Sequence, residues 1–175
     1  MKKKLLMGVI ILFTLGTIVS AANVTTVLSS ISGNYSIVWA YNASDTSDPW
    51  KKYQVGAVVG NDLTEMGVGV GYWIKLNVST ATLTVTGTSP SSTGIPLSNG
   101  WNLIGYPSST PQTITTVLSG ISGNYSIVWA YNASDTSDPW KKYQVGAVVG
   151  NDLTSMVSGY GYWIKLNVSS ATLTI

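Results

Sequence analysis

The sequence predicts a β-rich α+β protein: two tandem copies of a small, mostly antiparallel β module, each with one or two short helices. Three observations carry this. Residues 25–85 recur at 115–175 at an offset of 90, with seven differences over 61 aligned positions. A repeat of that fidelity denotes duplicated structural units, each too small to bury a large core alone. Within each copy, apolar and polar residues alternate with the period of a half-buried strand. Gly, Asn, Asp, Ser and Pro punctuate these runs at turn spacing.

Val24, Val27, Leu28 and Ile31 stand at i, i+3, i+4 and i+7, the apolar stripe of a two-turn helix. Asn23 precedes the stripe as N-cap and Gly33 ends it. The second copy keeps the pattern with Ile114, Val117, Leu118 and Ile121, capped by Thr113. A strand follows over 36–42, with Ile37, Trp39 and Tyr41 on one face and Val38, Ala40 and Asn42 on the other. The larger first set is the expected core face. Residues 42–49 form a polar turn, and 50–59 predict a strand or strand pair around Gly56. Asp62-Leu63-Thr64-Glu65 has the form of a capping box opening one helical turn, which Gly67 would end. The clearest strand sets Val70, Tyr72, Ile74, Leu76 and Val78 against Gly71, Trp73, Lys75, Asn77 and Ser79. A last strand places Ala81, Leu83 and Val85 opposite Thr82, Thr84 and Thr86.

Met1-Lys2-Lys3-Lys4, an uncharged stretch from Leu5 to Val19 and small residues up to Ala22 are the three parts of a secretory signal peptide. The expected division is signal peptide 1–21, module one 22–88, linker 89–99 and module two 100–175. The apolar stretch is shorter than the ~20 residues of a membrane span. A membrane contact would therefore arise only through an uncleaved N-terminal segment. Module two opens with the strand Gly100-Trp101-Asn102-Leu103-Ile104-Gly105-Tyr106-Pro107. Module one has only the leader at that offset, so it is expected to lack an opening strand.

Composition narrows the function. The chain has seven Trp and ten Tyr but no His, Cys or Arg, and only 9% of its residues are charged. That leaves no imidazole base, thiolate nucleophile or disulfide framework. No guanidinium fork is present for phosphate or base recognition. Removing Lys2, Lys3 and Lys4 turns the formal +2 into six lysines against seven acids, a charge near −1. Such a chain has no basic stripe to hold nucleic acid, which is not an expected partner.

The run from Gly100 to Pro107, then Val128-Trp129-Ala130-Tyr131, Trp140, Tyr143, Asn151-Asp152-Leu153-Thr154, Met156 and Gly161-Tyr162-Trp163-Ile164 resembles a β-rich repeat of archaeal and bacterial secreted and cell-surface proteins. The resemblance spans nearly all of module two; module one departs from it by lacking the opening strand. It implies an accessory repeat beside surface-layer and adhesion-type domains, outside the cell, without an established activity.

Candidate sites follow from residue type. Asn-X-Ser/Thr sequons stand at Asn23, Asn34, Asn42, Asn77, Asn124, Asn132 and Asn167, a pattern suited to a glycoprotein. Trp73 and Trp163 share the polar face of the clearest strand and could each stack a sugar ring, or pack under another element. Asp45 and Asp48, with Asp135 and Asp138 in the copy, crowd oxygens into a turn and are weak calcium candidates, since Asx residues favour turns in any case. No other metal and no cofactor is expected. Catalysis would rest on Asp45, Asp48, Asp62 and Glu65, of which Glu65 is Ser155 in the copy. The expectation is a secreted, non-catalytic structural or adhesive protein whose partners are other surface proteins, copies of itself or polysaccharide. Two alternatives stay open: a tandem carbohydrate-binding module on Trp73 and Trp163, and a filament subunit taking a donated strand at the open edge of module one.

Overall fold

The structure, a computed structural model, describes residues 5–8, 21–85 and 90–175, with the backbone alone for 5–8. Its elements are β1 (Leu5–Gly8), β2 (Ala21–Asn23), α1 (Val24–Val27), β3 (Tyr35–Tyr41), β4 (Trp50–Gln54), β5 (Glu65–Gly67) and β6 (Tyr72–Leu76). After these come β7 (Gly94–Gly105), β8 (Gln112–Thr113), α2 (Ile114–Val117), β9 (Tyr125–Tyr131), β10 (Trp140–Gln144), β11 (Ser155–Met156) and β12 (Gly161–Thr174). A single 3-10 turn extends each helix, over Ser29–Ile31 and Ser119–Ile121. The chain is β-rich, with antiparallel sheets and two short helices.

Each module is a four-stranded antiparallel sheet carrying its helix on one face. The strand orders are β1-β6-β3-β4 and β10-β9-β12-β7, and two-stranded ribbons β2-β5 and β8-β11 tie the helix entries down. The helix stripes pack as their spacing predicts. Val24, Val27, Leu28 and Ile31 join Tyr35, Val38, Tyr72, Ile74 and Leu76 in one core, and the equivalent residues of module two build another. Asn23 Oδ1 accepts the Thr25 amide and Thr113 Oγ1 accepts the Thr116 amide, so both caps are made by side chains.

Four expectations are corrected. Asp62–Glu65 opens no helix: Asp62 Oδ1 accepts the Lys52 amide and Glu65 enters β5, pairing with Asn23. The carboxylate thus fastens the loop to β4, and the ribbon offers Glu65 amide partners that a lone turn lacks. The run 50–59 yields one strand ending at Gln54, after which Val58 and Val59 are 98% and 82% exposed. The last strand forms only in module two, where Ser170–Thr174 continues β12, while 80–85 are irregular. The supposed linker contributes residues 94–99 to β7, and 94–98 pair with the end of β12. Residues 86–89, at the border of module one, lie outside the described set.

The expected open edge of module one is occupied in the full chain. β1, within the expected signal segment, pairs antiparallel with β6, placing Met7 opposite Trp73. In module two Leu103 of β7 stands opposite Trp163, the same position. The rest of the expected signal segment up to Ser20 lies outside the described residues.

Candidate functional site

The second face of each sheet decides what the aromatics do. A register shift between Tyr35 and Ile37 brings Tyr35 to the helix side with Val38 and Ala40. Ile37, Trp39 and Tyr41 consequently project from the opposite face and are only half-buried. Trp39 and Tyr41 are therefore not part of the helix-side core that their size suggests. They belong to a third cluster built around Trp73 and Leu103, together with Tyr131 and Trp163.

This cluster is the contact between the modules, and it is reciprocal. Trp73 packs against Tyr131 and Trp140 with ring centres 5.4 and 5.8 Å apart. Trp163 packs against Tyr41 and Trp50 at 5.2 and 5.9 Å. Exchanging each residue for its copy 90 positions away turns one set into the other, which is the signature of a pseudo-twofold interface in which each half inserts the same residue into the same hole. The tilted and edge-on geometries suit the ring quadrupoles. Backbone joins the two halves as well: the Gly105 amide donates to Gly69 O at 2.9 Å and the Gly71 amide to Leu103 O at 3.3 Å. Gly71 permits this approach, since a Cβ there would lie 2.7 Å from both Ile104 O and Leu103 Cγ.

Two clefts flank the interface. One, of about 530 Å³, is lined by Trp101, Trp129, Trp140 and Trp163. The other, of about 650 Å³, is lined by Ile37, Trp39, Trp50, Trp73 and Lys75. Trp129, Trp140 and Trp163 are the copies of Trp39, Trp50 and Trp73, so the clefts are related by the same pseudo-symmetry. Trp101 comes from β7 and has no tryptophan counterpart in module one. The edge-to-face pairs Trp39–Trp50 and Trp129–Trp140 recur with 6.2 Å between centres, and Trp101 meets Trp163 at 6.4 Å. Lys142 and Lys165 hold their ammonium groups 5.9 Å from the ring centres of Trp129 and Trp101. Lys52 does the same over Trp39 at 5.8 Å.

Both expected sugar platforms line a cleft: Trp163 is half-buried in its own, whereas Trp73 is only 9% exposed and packs against Tyr131 and Trp140 of the opposite module. The most exposed indoles are Trp50 and Trp140, at 40% each, and Trp101 at 37%. Sequence reasoning missed them as site residues. The signal available was that Trp50 and Trp140 directly follow a Pro at a strand start, at the rim of a sheet.

The Asp turns are closed upon themselves. Asp45 Oδ1 accepts the Ser47 and Asp48 amides and the Ser47 hydroxyl, while Oδ2 meets Lys51 Nζ at 2.9 Å. Lys51, then Ser47 and the Asp48 amide, hold this carboxyl far below the usual carboxylate range. Asp135 is held down likewise, chiefly by the Asp138 amide, then Ser137 and Lys141. Asp48 and Asp138 bind the same lysines at 3.2 and 2.9 Å. A lysine ammonium stands where a cation would be needed. Among the described residues no group of three or more acidic side chains is placed to hold a metal.

Of the sequons, Asn23, Asn42 and Asn132 fold back on their own motif, each Oδ1 accepting the hydroxyl two residues on at 2.6–2.7 Å. Asn34 and Asn124 are half-buried beside Asn77 and Asn167, whose amides donate to their carbonyls. Asn77 and Asn167 are exposed.

Burial governs the tyrosines. It pushes the Tyr72 phenol up to about 12 and raises Tyr162 further, although each oxygen accepts a backbone amide, from Gly67 and Val157 respectively. Comparison of the chain with protein-family models, curated proteins and solved structures finds no match.

Proposed function

We propose that this protein is a secreted, non-catalytic structural or adhesive module of a cell surface. The observation that carries the reading is the reciprocal aromatic interface, which makes two copies of a marginal unit into one body and leaves tryptophan clefts at its borders. A chain that commits all seven tryptophans to contact surfaces, with its aspartates in turns and loop fastenings, suits a scaffold better than a reaction centre. The leader-like N-terminus and the resemblance to surface repeats support a place outside the cell. Among the described residues no helix is long and apolar enough to cross a membrane. Asn77 and Asn167 are the sequons best placed for glycans. Intact mass of the native protein, with protease shaving of whole cells, tests the reading. A chain processed near Ala21 and lost on shaving is expected; an unprocessed chain protected inside the cell would refute it.

A second reading is favoured by β1. The leader strand covers the edge of β6, so removal of 1–21 frees that edge for a strand from another copy, giving a filament. Light scattering of a chain beginning at Ala22 is expected to show concentration-dependent assembly absent from the full chain. A strict monomer at high concentration counts against it.

A further inference from the structure

We propose that the cleft formed by Trp101, Trp129, Trp140 and Trp163 binds an acidic polysaccharide, with the indoles stacking pyranose rings and Lys142 and Lys165 pairing with uronate carboxylates. This rests on the adhesive reading above and names its ligand. Four indoles leave the cleft without backbone amides to grip a peptide main chain. A pyranose ring, by contrast, offers a flat C–H face that stacks on indole without further partners. Charge selects among glycans. Lys142 and Lys165 project from the same sheet face as Trp129 and Trp163, because Lys142 lies opposite Trp129 in the β10-β9 ladder and Lys165 opposite Trp101 in the β12-β7 ladder. Neither forms an ion pair among the described residues, whereas the neighbouring Lys141 holds Asp135 and Asp138. Two unpaired ammonium groups beside an apolar floor disfavour a cationic ligand and complement an anionic one. The aromatic faces of Trp101 and Trp129 already carry those ammonium groups, so a carboxylate can approach them while its ring lies over Trp140 and Trp163. The cleft of module one, with Lys75 and Lys52 but no counterpart of Trp101, offers a weaker second site, and two sites on one chain gain by avidity.

Affinity electrophoresis of the purified full chain in gels containing polygalacturonate, neutral hydroxyethyl cellulose or no glycan tests this, with oligodeoxythymidylate as a competing polyanion. Retardation by polygalacturonate alone is expected. It should weaken about tenfold in Trp101→Ala and about fivefold in Lys142→Gln/Lys165→Gln, and fall with added salt, as exposed charge pairs and single stacking contacts do. Near-UV circular dichroism identifies a variant that has lost its fold, and the lysine pair, Lys165 exposed and Lys142 half-buried, keeps the test decisive if Trp101→Ala is lost. Equal retardation by the neutral glycan overturns the charge assignment while leaving an adhesive protein. Preference for the oligonucleotide, retardation untouched by both variants, or no retardation at all overturns the site. None of these outcomes bears on whether the chain is found at the cell surface, which shaving decides separately.

Discussion

Modules one and two share nearly all their residues, yet their last strands differ. In module two, β12 runs unbroken from Gly161 to Thr174 because β7 offers partners to both ends of it, across an irregularity between Leu166 and Ser170. In module one the matching segment, which differs only at Thr80, is a strand only from Tyr72 to Leu76, where β1 supplies just four partner residues. Nearly identical side chains thus give strand or irregular chain according to what lies alongside, because a strand's backbone groups are satisfied only by a neighbour. The drifted segment teaches the complementary lesson. Four of the seven differences fall between 65 and 70, and in module one this segment touches β7: Gly69 O receives the Gly105 amide and Val70 bridges Ile104. Tyr160 packs on the core of module two as Val70 does on that of module one, but Val70 also bridges to the other half. The copies diverged where their surroundings differ.

The sharpest way to break the comparison is to remove each inserted tryptophan. Trp73→Ala should cost about 3–5 kcal/mol by denaturant unfolding, the range for a buried aromatic truncated to Ala. Trp163→Ala should cost clearly less, since Trp163 stays half-exposed at its cleft. Equal losses would mean that the two insertions are equivalent and the asymmetry is superficial. Gly71→Ala comes next, at about 1–3 kcal/mol, as its Cβ would collide with backbone of β7. Gly120→Ala is the control: nothing lies within 4 Å of its added Cβ and its copy is Ser30, so stability should hardly move.

Asn102 separates the modules in another way. It is the buried polar side chain of β7, 4% exposed, and it bonds Ser98 N, Ser98 O and Gly100 O at 2.8–3.1 Å. Asn102→Ala should cost about 2 kcal/mol, since the backbone groups it served lose their partners in a buried site. Amide exchange should accelerate at Ser170–Thr174 and leave 72–76 unchanged. Acceleration in both modules would show that β7 also steadies module one.

How much of this was legible beforehand depends on what fixes each face. The helix stripe from Val24 to Ile31 and the row Tyr72, Ile74, Leu76 were readable because their burial depends on local periodicity against polar neighbours. The strand 36–42 was misread because both of its faces are covered: Val38 and Ala40 by the helix, Trp39 and Tyr41 by the aromatic contact. Alternation gives two faces but not which one meets the core, and the larger residues pointed to the wrong one. Trp50 and Trp140 escaped because each cleft is built on one module from strands distant in sequence. Asp62 satisfied a helix-cap pattern that the Lys52 amide, ten residues back, claimed instead.

Alkali offers a milder probe of the two cores. The Tyr72 phenol ionises near 12 in the folded chain against about 10 in the unfolded one. Its folded value is raised, so its contribution is complete below pH 10 and is lost as the pH climbs through 12. At pH 11 the expected loss is about 1 kcal/mol, from the 1.36 kcal/mol carried by each pH unit between the two values. Tyr162, raised further by burial, costs module two more stability once the pH passes 12, so fluorescence should report module two opening first. Simultaneous opening would indicate that the interface couples the cores more strongly than either phenol perturbs them.

The smallest effect belongs to the two Asp turns. Both carboxyls are depressed, so what they contribute is present above an unfolded value of about 3.9 and is lost only as the pH falls through the folded one. Lys141 reaches Asp152 at 3.8 Å in addition to Asp135 and Asp138, whereas Lys51 bonds Asp45 and Asp48. Asp45→Asn should therefore lower Tm slightly more than Asp135→Asn, whose lysine keeps two carboxylate neighbours after the change. Added calcium should leave Tm unchanged in the native chain, because displacing a lysine that already neutralises both carboxylates brings no gain. A calcium-dependent rise in Tm, abolished by Asp45→Asn, would show that the ammonium can be displaced and that the turn is a cation site after all.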